Sequence, residues 1–213
     1  MVKENVLWGT LSGLNVTYLQ RWCSAWADLL LADMALLEHR SLGKGSTITH
    51  RRSLWEAAVV AYGRLAVSDQ KREIAFKDLI SEVAGEDGVV LHERIMDWRH
   101  GHVAHRKRAE FEAIKTVFAY ANSVTPTSLH SVLAVDAGPA AGSKFARAFQ
   151  KHVKMMRDSM YELRIRPLAT KVIEDVNEGR IAKPGALRPA DDQSTGDRYI
   201  INQCLYELNP TFS

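Results

Sequence analysis

Two cysteines occur in 213 residues, Cys23 and Cys204, far apart and outside any motif. A disulfide scaffold is therefore not what organises this chain, and a reducing cytoplasm is the expected setting. Long apolar runs are missing too. No uninterrupted stretch approaches the roughly 18 residues needed to cross a bilayer, so no membrane partner is expected. Residues 1–15 lack a continuous apolar segment after a basic start, which does not fit a secretory leader. Charge of one sign is scarce: 28 basic against 25 acidic residues leave a net +3. That surplus permits a nucleic-acid partner without arguing for one. No internal repeat is present. What remains is ordinary for a soluble globular protein, 46% hydrophobic and 25% charged, and long enough for one buried core with an appended tail.

Helical periodicity fills the first hundred residues. Leu19, Trp22, Trp26, Leu29, Leu30, Leu36 and Leu37 recur on one stripe and predict a helix from about Val16 to His39. Asp33 falls within that stripe and needs a partner or a route to water. Residues 41–47 are rich in glycine and serine and read as a loop. Gly43 and Gly45 alone, with no preceding strand, do not make a dinucleotide-binding turn. A second helix, about His50 to Val67, buries Leu54, Ala57, Ala58, Ala61, Tyr62 and Leu65. A third, about Glu73 to Ala84, is followed by a turn at Gly85–Gly88. Periodicity then resumes from Val89 through Trp98.

Beyond about Ala109 the pattern changes. Residues 113–121 and 129–135 are rich in β-branched and aromatic side chains and are separated by turn residues, which predicts a β-hairpin within 113–135. Residues from about Ser143 to Val176 form a long helical pattern, with Pro167 a kink or break. The expected fold is predominantly all-α: an antiparallel bundle of about four to five helices with a small hairpin insertion over residues 1–178. A loosely ordered tail follows over 179–213, with a short strand near Tyr199–Leu208.

Chemistry concentrates at the end of the helix that resumes at Val89. From Arg99 to Arg106 the chain places Arg99, His100, His102, His105 and Arg106 within eight residues. Histidine exchanges protons near neutral pH, and arginine remains cationic and can grip a phosphate with two parallel hydrogen bonds. Together they suit phosphodiester chemistry. The bland reading is a set of solvated basic residues favoured at a helix C-terminus by the helix dipole. A zinc site built on His100, His102 and His105 is the competing reading. Spacings of two and three residues do not place all three on one helix face, and no cysteine lies nearby.

Arg99, the polar His100, a short spacer and Ala104–His105 resemble the Arg–polar–x–His signature of HEPN domains, with Arg106, Lys107 and Arg108 following in the same style. Leu54–Ala57 and Ala61–Arg64 are similar to helices of abortive-infection-like HEPN proteins. The likeness spans roughly residues 15–177. It implies metal-independent RNA cleavage by a homodimer, without cofactor, in a defence or toxin-like role that can include an antitoxin partner. On that likeness Arg99 would orient the scissile phosphate, His105 would act as general acid or base, and His100 would support the site. Arg64, His102 and Arg106 would be substrate-contacting neighbours. Six residues on an ideal helix leave Arg99 and His105 about 120° apart. Either Gly101 lets the helix distort, or Arg99 works with His105 of a second copy. The rival expectation is a catalytically inactive HEPN-like module that binds RNA, a nucleotide or a protein partner. A toxin of the kind paired with a nucleotidyltransferase fits less well. Some of those carry a modifiable tyrosine two residues after the final histidine, where this chain has Lys107.

Overall fold

The computed structural model describes residues 7–43, 45–67, 72–104, 112–121, 123–189 and 203–205. It is mainly helical, with a small antiparallel hairpin. Helix α1 runs Leu14–Ser41, ending on two basic residues, His39 and Arg40, that complement the partial negative charge there. Helix α2, Ile48–Val67, begins after Thr47, whose hydroxyl accepts the His50 amide at 3.1 Å and so caps an otherwise orphan donor. The loop between α1 and α2 lies where the glycine- and serine-rich segment predicts it.

Helix α3 spans Phe76–Trp98, where the sequence predicts two shorter helices separated by a turn. The break is real but is confined to one residue. Gly85 takes φ +59° and ψ −157°, and Glu86 and Asp87 resume the helix directly. Only glycine adopts that backbone without a Cβ penalty, so one residue does the work of a four-residue turn. A π-helical turn, Arg99–Ala104, continues α3.

The hairpin consists of β2, Glu112–Tyr120, and β3, Pro126–Val135, following β1 at Leu7–Trp8. Its register pairs Ile114 with Leu133, Thr116 with Ser131 and Phe118 with Leu129, with an irregularity at Ala119/Tyr120. Helix α4, Lys144–Met160, passes through a π-helical turn at Tyr161–Ile165 into α5, Arg166–Asn177. The break expected at Pro167 takes this form. The register changes ahead of the proline, which falls in the first turn of α5, and the Leu163 carbonyl four residues before it accepts from Arg164 Nη1 at 3.2 Å instead.

Two compact units can be distinguished. One draws on the described residues within Met1–Ala27, Lys71–Ile74 and Arg157–Ser213. Its apolar cluster is Val16, Val172 and Ile181, flanked by Leu11, Leu19 and Val176. Buried Asp175 accepts hydrogen bonds from Asn15 and, at 2.7 Å, from Arg180. Strand β1 pairs antiparallel with β4, Arg188–Pro189. Residues 179–189 open the segment expected as a tail, yet Ile181 is buried and β4 is paired. Residues 203–205 of the expected late strand are irregular, and its remainder lies outside the described residues.

The other unit comprises the described residues within Asp28–Gln70 and Ala75–Met156. Trp55 is fully buried at its centre, with His39, Trp98, Phe145 and Phe149 around it at ring distances of 5.5–5.9 Å. Edge-to-face rings at this spacing add about 0.5–1.5 kcal/mol per pair beyond the area they bury. This cluster fixes the end of α3, because Trp98 is its last α-helical residue.

Candidate functional site

The π-helical turn begins one residue after that anchor. In such a turn hydrogen bonds close to the fifth residue rather than the fourth, so the helix widens and its side chains are re-aimed; turns of this kind recur at functional sites. Arg99, His100 and Gly101 occupy its first half. Trp98 meets Trp55 edge-on at 5.5 Å, which holds the turn against α2.

Arg99 uses that contact. Its side chain lies across the Cα of Gly63 on α2: a Cβ at position 63 would sit 2.0 Å from Arg99 Cδ and 2.6 Å from Nε. The aliphatic stem therefore packs on bare backbone, and the residue as a whole is half-buried. Among the described residues Arg99 makes no ion pair. Arg64, the next residue along α2, differs. Its guanidinium pairs with the buried carboxylate of Asp28 at 3.2 Å, while its side chain stays half exposed. Of the two described arginines expected at the substrate, Arg99 makes no ion pair among the described residues and Arg64 makes one.

His100 is exposed beside Arg99. His102 has its backbone in the same turn, but its side chain lies outside the described residues, as do His105 and Arg106 entirely. The structure thus lays Arg99 on Gly63 of α2, with His100 next to it in the turn, and directs Arg64 to Asp28 on α1. Among the described residues no His, Cys, Asp and Glu side chains group as a metal site.

A second constellation lies beneath α2 and escaped the sequence reading. Tyr62 Oη is hydrogen-bonded to His92 Nδ1 at 2.8 Å and to His152 Nε2 at 3.0 Å, with all three residues buried. A hydroxyl has one proton, so it donates to one imidazole and accepts from the other's N–H. Phe76 and Phe149 stack edge-on against the phenol at 6.0 Å and 5.4 Å. Burial, reinforced by the neighbouring His92, pushes His152 down to about 4, and burial raises Tyr62 well above its ordinary value. These groups are closed off from solvent and internally satisfied, so they hold the helices together rather than meet a substrate. The signal was present: His92 lies three residues before buried Ile95, and His152 lies between Phe149 and Met156 on one helical face. A polar residue on an apolar stripe implies a buried partner.

His39 is a third buried imidazole, packed on Trp55 with burial holding its pKa below the usual value. Comparison with family models, with curated proteins and with solved structures finds no match to this chain.

Proposed function

We propose that the chain cleaves RNA without a metal, in a HEPN-like manner and in a defence or toxin-like role. The observation that carries this reading is Arg99: a half-buried arginine on a π-helical turn, its stem laid on Gly63 and its charge unanswered among the described residues. A pre-positioned cation of this kind is what a phosphodiester needs as its charge develops in the transition state. In the proposed reaction the 2′-hydroxyl attacks the adjacent phosphorus, forming the P–O2′ bond as the P–O5′ bond breaks. A base takes the 2′-hydroxyl proton and an acid returns one to the leaving 5′-oxygen, giving a cyclic phosphate end and a 5′-hydroxyl end. His105 is assigned this proton transfer, with a second copy supplying the other half of the pair, and His100 supports the phosphate from the position next to Arg99.

The test incubates the pure full-length chain with RNA in EDTA, beside Arg99→Ala and His105→Ala. Cleavage by the wild type should persist in EDTA and should fall by about 10²–10³-fold in Arg99→Ala, the loss typical of removing one donor to a developing oxyanion. A DNA strand of the same sequence, lacking the 2′-hydroxyl, should stay intact. Equal cleavage by wild type and both variants sinks the proposal, as does RNA binding without turnover, which would assign the chain to the inactive binding modules.

A further inference from the structure

Strands β2 and β3 leave an apolar surface that nothing else in the described structure explains. Side chains that pair across a hairpin lie on one face. The register therefore sorts Ile114, Thr116, Phe118 and Tyr120 with Leu133, Ser131, Leu129 and Pro126 onto one side. Lys115, Val117 and Ala119 with Val132, His130 and Ser128 fall on the other. On the first face Ile114, Phe118, Tyr120, Leu129 and Leu133 are each 54–66% exposed. Between Lys115 and Asp136 the sequence has no Lys, Arg, Asp or Glu. Two strands alone are marginally stable in water, and an uncharged apolar face on them adds an aggregation hazard that proteins ordinarily cover.

We infer that this face docks on the same face of a second copy of the chain, the two hairpins closing on each other about a two-fold axis. The surface is the right size. Five large side chains, each offering roughly 100 Å², give about 500 Å² per chain and about 1,000 Å² for the pair, the area at which a specific interface becomes tenable. The surface also complements itself. Successive pairs on this face are about 7 Å apart along the strands and alternate in bulk: Ile114/Leu133 is large, Thr116/Ser131 small, and Phe118/Leu129 large. A two-fold axis midway between Thr116 and Phe118 sets each copy's Phe118/Leu129 over the other's Thr116/Ser131. The same operation sets Ile114/Leu133 against Tyr120/Pro126, with the tyrosine hydroxyl at the rim. Every pair is covered once and no charge is buried. A charged partner would find no counter-charge here, whereas an identical uncharged face needs none. This inference stands on the hairpin alone and holds whether or not Arg99 acts on RNA.

Sedimentation equilibrium on the full chain reads it directly, independently of any cleavage assay. The wild type should be a dimer at tens of micromolar. Phe118→Thr/Leu129→Thr puts β-branched strand formers in place while removing the central bulk, and should weaken association about 100-fold or more. Val117→Thr/Val132→Thr, on the opposite face, should leave it unchanged, with equal far-UV circular dichroism in all three. Amide exchange of wild-type residues 112–135 should slow as concentration rises through the association range, a readout that needs no variant. A monomeric wild type overturns the inference. So does a dimer that survives the Phe118/Leu129 change with hairpin exchange insensitive to concentration. Sedimentation of a monomeric wild type with phosphatidylcholine vesicles would assign the face to lipid and overturn it equally.

Discussion

Gly63 lies inside α2, where alanine would be the better helix former by about 1 kcal/mol. Nothing in the backbone requires glycine there; the requirement comes from Arg99, whose stem fills the space a methyl group would take. Gly63→Ala is therefore expected to separate folding from function. The added methyl displaces the end of a flexible side chain, so the urea midpoint should hold or rise slightly. The guanidinium moves with its stem, so RNA cleavage should fall at least about tenfold, since a displacement near 1 Å costs up to about 10²-fold. A lowered midpoint with unchanged cleavage would show that this contact does not place Arg99. Arg64 offers the contrast one residue away: expected from the sequence as a substrate-contacting neighbour, it pairs instead with Asp28.

Elements were legible where periodicity is long and strong. Helices α1 and α2 and the hairpin lie within a few residues of the boundaries their patterns predict, because an apolar stripe or a β-rich run with turn residues has few other solutions. The misread junction was Gly85–Gly88, where two glycines suggest a turn but one suffices. Gly85 holds the break alone, and an added Cβ there would meet no atom within 4 Å. Any cost of replacing it thus comes from the backbone and not from crowding. Gly85→Ala should lower stability by about 1–3 kcal/mol, seen as a shifted urea midpoint at unchanged slope. An unshifted midpoint would mean that the helix straightens freely and the break is not imposed by the fold. Gly101 and Pro167 marked where the helices could distort, but the π-helical form of the distortion is not a periodic signal.

Over the whole molecule, the sequence located the region of the candidate site but not its supports. Arg99 and His100 were singled out as candidates from their spacing and the family resemblance; the Gly63 platform and the Trp55 anchor depend on contacts between α2 and the end of α3 that no single window contains. His105 and Arg106 lie outside the described residues. The buried histidines were signalled by their places on apolar stripes, but their shared partner Tyr62 depends on contacts no single window contains, and they give the molecule a pH dependence of its own. His152 is held near 4 in the folded chain, against 6.5 when exposed on unfolding. Above 6.5 both states carry it neutral and the stability of the Tyr62 network is fully present. As pH falls below 6.5 the unfolded chain binds a proton that the folded chain refuses, so stability declines by up to about 1.4 kcal/mol per pH unit. The decline levels off near pH 4, where the folded state protonates too, after a loss of about 3 kcal/mol. The described groups that face His152, the Tyr62 hydroxyl and the His92 ring, include no carboxylate to reverse that sign. His39, lowered by burial, pushes in the same direction. Urea midpoints stepped from pH 6.5 to 4 should fall throughout, and His152→Gln, which places an amide near Nε2 and cannot titrate, should show a slope shallower by close to one proton. A flat wild-type profile, or an unchanged slope in the variant, would show that the folded protein accommodates a charged His152.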